Sequence, residues 1–123
     1  MTFDVVFALD DSSNVPDSGW TAMQTLMSGF VDRFTVGLGN ARIAVVRYSD
    51  VASIAFNLDE YRTAASVKTA IGQLQHLSTS AQRNLAHAFQ ITMTNLLMGQ
   101  RYFAAQVGTR QYNANNRTLL RQF

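Results

Sequence analysis

The sequence predicts an α/β domain, with a largely parallel sheet, one antiparallel edge hairpin and helices on both faces. Three observations carry that prediction. Residues 3–9 (FDVVFAL) and 42–49 (RIAVVRYS) are short, largely apolar runs, as strands buried on both faces of a parallel sheet are. Other segments repeat their apolar residues at three- and four-residue steps, the pattern of amphipathic helices. The chain has 123 residues, 47% hydrophobic and 15% charged, enough for one core but not two domains, and unlike a disordered composition.

The first run ends in Asp10-Asp11-Ser12-Ser13-Asn14, so polar side chains crowd the point where that strand stops. From Gly19 the period turns helical. Trp20, Met23, Met27, Phe30, Val31 and Phe34 form one stripe, which is read as core, and Gly37 and Gly39 end it. Residues 42–49 supply the second strand. Ser49-Asp50-Val51 turns the chain, and residues 52–57 (ASIAFN) alternate, placing Ile54 and Phe56 on one face of an edge strand. Thr63 is positioned to cap a second helix that buries Val67, Ile71 and Leu74. A polar loop over residues 78–82 leads to a third helix with Leu85, Phe89, Met93, Leu96 and Leu97 inward. The core thus occupies residues 1–99. Beyond Gly99, residues 102–107 (YFAAQV) suit one further strand, and residues 108–123 show no period and read as loop or disorder.

Composition excludes several classes. The chain has no cysteine, which removes disulfide frameworks and thiolate metal sites. No apolar run approaches the ~20 residues a membrane span needs. The opening Met1-Thr2-Phe3-Asp4 is not a signal peptide, so either Met1 is an added initiator or a leader is missing. The net charge of +2 is uneven: residues 100–123 hold Arg101, Arg110, Arg117 and Arg121 with no acid. Four spaced arginines form no dense cluster, so this basic tail reads as a solvated segment and no nucleic-acid partner is expected.

Ligands of open α/β sheets bind at the carboxyl ends of the strands, where residues 10–14 fall. A carboxylate and two short oxygen-bearing side chains at alternating positions, Asp10, Ser12 and Asn14, can turn toward a common point, and hard divalent cations favour such oxygen donors. The surrounding sequence makes the motif more specific. DVVFALDDSSNV resembles the opening of von Willebrand factor A-type (VWA) domains, a hydrophobic strand followed by D-x-S-x-S. RIAVVRYSDVASIAFNLDEY resembles that family's second and third strands, and RNLAHAF its T-N-x-G-x-A-L segment at the third helix. Together these cover about residues 3–98 in the family's order.

The resemblance implies a Rossmann-like VWA fold, here with an incomplete sheet, and an adhesion site that binds Mg²⁺ or Mn²⁺ and is completed by a partner's acidic group. Carried over by position, Asp10 and Ser12 match the first two metal-binding positions, while Asn14 stands where the family has Ser. The metal-facing Thr aligns with Arg83, although a shifted gap would bring Ser80 or Thr79 there. A guanidinium has no acceptor and cannot ligate a cation. Arg83 then either turns inward, pairs with Asp10 and substitutes for the metal's charge, or turns to solvent. The family's later Asp-Gly pair has no counterpart, since no Asp or Glu follows Glu60. The site is therefore expected to be degenerate and no cofactor is expected, Mg²⁺ or Mn²⁺ being the exception the resemblance would bring.

The implied function is an extracellular or matrix-type binding module for a protein ligand, not an enzyme, with Asp11 and Ser13 in its partner-binding loop. A second reading is a self-assembling unit: the strand over residues 3–9 would border an incomplete sheet and pair with or exchange for another copy's. A third is a phospho-receiver with Asp50 as acceptor, a chemistry that needs a late lysine where the chain offers only Lys68, inside a helix. His76 and His87 belong to no metal or nucleophile motif and read as surface or boundary residues. Asn116-Arg117-Thr118 matches the N-glycosylation triplet, which matters only in a secreted protein.

Overall fold

A computed structural model describes residues 3–37 and 39–97, together with the backbone of residues 102–113 and 118–122. Strand β1 (Phe3–Asp10) leads to helix α1 (Asp17–Val31), followed by β2 (Ala41–Tyr48), β3 (Ala52–Phe56), α2 (Ala64–Gln73) and α3 (Leu85–Ile91). A π-helical turn (Thr92–Leu96) extends α3 before β4 (Tyr102–Asn113) and β5 (Thr118–Gln122). The sheet order is β3-β2-β1-β4-β5. β1 runs parallel to β2 and to β4, whereas β3 and β5 are antiparallel to their neighbours.

The unbroken apolar character of β1 and β2 follows from this arrangement. Val5, Phe7 and Leu9 join Ile43, Val45 and Phe56 on one face, beneath Trp20, Met27 and Val31 of α1 and Val67, Ala70 and Ile71 of α2. Val6, Ala8, Ala44 and Val46 point to the other face and pack with Ala88 of α3, where Leu85, Phe89, Met93, Leu96 and Leu97 also gather. Successive residues of a strand face opposite ways, so a strand covered on both faces is apolar throughout.

The helix ends are set locally. Thr63 Oγ1 accepts from the Ser66 amide at 3.1 Å, and Ser66 Oγ accepts from the Thr63 amide at 3.2 Å, a reciprocal cap that starts α2. Two side chains of α1 close its other end: Gln24 donates to the carbonyls of Ile71 and Leu74, and Trp20 Nε1 to that of Leu74. They occupy carbonyls that a helix terminus leaves open.

Two expectations require correction. The first strand does not border an open edge: Phe3–Phe7 pair in register with Tyr102–Gln106 of β4, on the side away from β2. This removes the basis for pairing between copies through residues 3–9. The strand beginning at Tyr102 does not stop at residue 107 but runs to Asn113, and Thr118–Gln122 form a further strand where loop was expected. Asn116, the glycosylation triplet's asparagine, lies outside the described residues.

Candidate functional site at the carboxyl rim of the sheet

β1 ends on Asp10, paired opposite Tyr48, and the chain then folds over the rim formed by the ends of β1 and β2. Asp10 is the turning point. Its Oδ1 accepts from the Ser12 amide at 2.9 Å, which bends residues 10–12 and leaves Ser12 fully buried. From the opposite side comes the segment before α3, anchored by the Asn84 amide donating to the Ser49 carbonyl at 2.6 Å. Asn84 caps α3 by accepting from the His87 amide, which fixes the direction in which residue 83 leaves the helix.

That direction brings Arg83 onto the motif. Its Nε lies 2.8 Å from Asp10 Oδ2 and donates to Ser12 Oγ at 3.3 Å. The Asp10 carboxylate is 12% exposed and Arg83 53%, so the guanidinium covers the acid and presents its outer edge to solvent. Asn14 turns its amide group to the Ala81 carbonyl at 2.6 Å, and the Ser13 amide donates to Ser80. The loop after β1 is thus tied to residues 80 and 81, just ahead of Arg83.

A divalent cation held by Asp10, Ser12 and Asn14 does not fit this arrangement. Both Asp10 oxygens are engaged, Ser12 Oγ accepts from a cation already present, and the Asn14 amide nitrogen is directed at a carbonyl. No group of three or more His, Cys, Asp or Glu residues with metal-binding geometry occurs among the described residues.

Asp11, expected in the partner-binding loop, is turned inward here. It is 4% exposed, and the pleat turns it away from Asp10 into the protein. Its Oδ2 accepts from Arg47 Nε at 2.8 Å and its Oδ1 from the Leu77 amide at 2.9 Å, holding the loop after α2 in place. Arg47 also donates to the Gln75 carbonyl and lies under the Trp20 ring, its guanidinium carbon 5.4 Å from the ring centre. Ser13 is exposed on the rim, as a contact residue would be.

His76 was not singled out by its sequence, yet it joins three segments here. Its ring stacks on Trp20 at 5.0 Å, Nδ1 lies 3.1 Å from Asp17 Oδ1 and Nε2 lies 3.1 Å from the Ser12 carbonyl oxygen. Burial alone lowers its proton affinity. The hydrogen bonds to Asp17 and to the Ser12 carbonyl, with the fields of Asp11 and Asp17, outweigh that and hold its pKa above the ordinary histidine value. No local motif marks this residue, since every partner is more than fifty positions away in the chain. His87 has a smaller role, with Nδ1 accepting from the Ala52 amide at 2.9 Å. Asp50 lies in the β2–β3 turn and accepts from Ser49, while Lys68 pairs with Asp32 at 2.6 Å. The lysine that a phospho-receiver needs beside its acceptor is therefore engaged elsewhere.

A family model, von Willebrand factor type A domain, matches residues 4–120. This chain belongs to the VWA family. Human matrilin-3 is 31% identical to the VWA domain described here over 112 residues, covering 91% of this chain and 21% of matrilin-3. The human collagen alpha-6(VI) chain is 26% identical over 89 residues, covering 72% of this chain and 4% of its own length. The VWA domain therefore spans about a fifth or less of these relatives. Among solved structures, proximal thread matrix protein 1 from the mussel byssus superposes with a TM-score of 0.78 at 22% identity, over 92% of this chain and 30% of that one. Another structure of that protein, described as having a zinc-occupied MIDAS motif, superposes with a TM-score of 0.76 at 22% identity, over 94% of this chain and 30% of that one. At this identity the likeness establishes the fold. Among the described residues no helix is long and apolar enough to cross a membrane.

Proposed function

We propose that this VWA domain is a protein-binding module of an extracellular matrix protein, and that Arg83 completes its rim site in place of a divalent cation. The observation that carries this reading is the 2.8 Å approach of Arg83 to Asp10, with Ser12 on the same nitrogen. A mostly buried carboxylate requires a counter-charge, because taking it out of water unpaired costs several kcal/mol, about 3–5 when a buried partner is removed. The resemblance assigns that role to Mg²⁺ or Mn²⁺. A guanidinium supplies it permanently, being protonated at any physiological pH.

The matrilin and collagen VI relatives support the matrix setting, which would make the protein extracellular. The rim has a binding surface's character: Ser13, Asn14 and Arg83 are exposed there, on a base fixed by hydrogen bonds between loops. Fixed loops lower the entropy cost of association. A protein ligand would be engaged at this face without chemistry on it.

Calorimetric titration with Mg²⁺ and Mn²⁺ tests the charge substitution. The wild-type domain is expected to give no saturable heat, whereas Arg83→Thr, which frees Asp10 Oδ2 and Ser12 Oγ, gains weak binding. Micromolar affinity of the wild-type domain for either ion would overturn the reading.

A further inference from the structure

A pocket of about 100 Å³ opens between the β2–β3 turn and the loop after α2. Cavities for drug-sized ligands run to roughly 300–1,000 Å³, so this one takes the end of a single side chain. Its lining carries two acids, Asp11 and Asp50, against one base, Arg47, which leaves a single negative charge. Asp11 and Arg47 neutralise each other. Asp11 Oδ2 accepts from Arg47 Nε at 2.8 Å, and both side chains are largely buried. Arg47 also donates to the Gln75 carbonyl and Asp11 Oδ1 accepts from the Leu77 amide, so both are committed to holding the walls.

The uncompensated charge is that of Asp50. It stands exposed in the turn, with Oδ1 accepting from Ser49 Oγ at 3.0 Å, and among the described residues it enters no ion pair. Ser53 on β3 and Thr79 on the opposite loop line the same cavity, and among the described residues neither hydroxyl makes a hydrogen bond. An anion would meet the Asp50 charge with no free cation to balance it. An apolar group would strip water from Asp50 without replacing it. A cation suits the lining. A lysine ammonium is compact, with three donors to set against one carboxylate and two hydroxyl oxygens, whereas a guanidinium spreads five donors over a plane. Val51 and Leu77, 60% and 56% exposed, also line the pocket. Lysine carries its charge at the end of an apolar stem that packs along such side chains.

We propose that this pocket binds a lysine side chain of the protein partner, its ammonium on Asp50, Ser53 and Thr79 and its methylenes between Val51 and Leu77. Lys68, the chain's one lysine, is paired with Asp32, so the ammonium comes from a partner rather than from a second copy. The inference rests on the rim being the protein-binding face. It is independent of what faces Asp10, because the pocket is lined by neither Asp10 nor Arg83.

The test uses short capped peptides with lysine, norleucine, arginine or glutamate at the centre, titrated into the labelled whole chain and followed by NMR. The lysine peptide should saturate at millimolar concentration and shift the amides of Asp50, Val51, Ser53, Leu77 and Thr79 together. Asp50→Asn, which keeps an acceptor for Ser49 and changes no buried residue, should weaken it by up to about fivefold, the scale of an exposed ion pair. Thr79→Val should weaken it with the charge unchanged, and added salt should erode the wild-type affinity. Equal binding of the norleucine, arginine or glutamate peptide, indifference to Asp50→Asn, or no saturable shift would overturn the proposal. Shifts confined to Ser13, Asn14 and Arg83 would overturn the pocket and keep the rim as the binding face.

Discussion

Asp10 and Asp11 are neighbours of similar burial, and the pleat of the strand end sends them to opposite tasks. Asp10 meets Arg83 at the rim, and Asp11 turns inward to Arg47 and the Leu77 amide. The resemblance gives Asp10 a metal-binding position and Asp11 a place in the partner-binding loop, whereas in the structure Asp10 lies at the rim and Asp11 faces inward. His76 belongs to the inward group. Both its nitrogens face oxygens, the Asp17 carboxylate and the Ser12 carbonyl, which suits the doubly protonated ring. Asp11 Oδ1, at 3.9 Å, adds to that preference. Since the folded pKa lies above the unfolded value of about 6.5, His76 contributes stability that is fully present below that value. The contribution is lost as pH rises through the higher folded pKa. Urea denaturation across neutral pH should therefore show the domain weakening with rising pH, and His76→Gln should flatten that slope. A wild-type slope of the opposite sign would show that Asp17 and the Ser12 carbonyl do not hold the proton.

At the scale of elements, the cap of α2 is the simplest quantity to predict. Thr63→Ala removes the acceptor for the Ser66 amide and should cost about 1 kcal/mol, read as a lower denaturation midpoint with unchanged slope. An Ile71→Ala change in the same helix should cost more, about 2–5 kcal/mol, because Ile71 is fully buried between α2 and the sheet. The elements legible in the sequence are those whose packing leaves a local pattern. The runs in β1 and β2, the stripe from Trp20 to Phe34 and the cap at Thr63 each follow from neighbours within a few residues. β3 was legible as an edge strand, but its alternation misled: a register shift opposite Val45 and Val46 sends Phe56 to the α1 and α2 face and Ile54 to the α3 face, where one shared face was expected. The last two strands were not legible, since Asn, Gln and Arg in residues 108–123 give neither a continuous apolar run nor clean alternation. The same limit holds for the site. Asp10, Ser12 and Arg83 could be nominated from motif positions, but the contact between them spans more than seventy residues. The choice between an inward and a solvent-facing Arg83 depended on how Asn84 caps α3 and on what Ser49 holds, neither of which is a property of residues 83 and 10 themselves.

At the scale of the whole molecule, the sheet separates a stabilising end from a functional one. Opposite the rim, Asp4 is buried and accepts two hydrogen bonds from Arg42, which also reaches Asp59. Arg42→Met removes two charge-assisted hydrogen bonds from the buried Asp4 carboxylate and should lower stability by up to about 3 kcal/mol while leaving the Arg83–Asp10 contact at the rim unchanged. The sheet order gives a second expectation. β4 covers the side of β1 away from β2, so a chain ending at residue 99 exposes that strand edge and should self-associate in sedimentation where the 123-residue chain does not. Whether a guanidinium or a metal ion faces Asp10 decides the character of the rim. Paramagnetic Mn²⁺ decides this residue by residue, because it broadens the NMR signals of nearby amides. With Mn²⁺ added to the wild-type domain, the amides of Ser12, Ser13, Asn14 and Asn84 should stay sharp, and they should broaden selectively in Arg83→Thr. Selective broadening of those amides in the wild-type domain at micromolar Mn²⁺ would show that the ion displaces Arg83 and that the arginine does not complete the site.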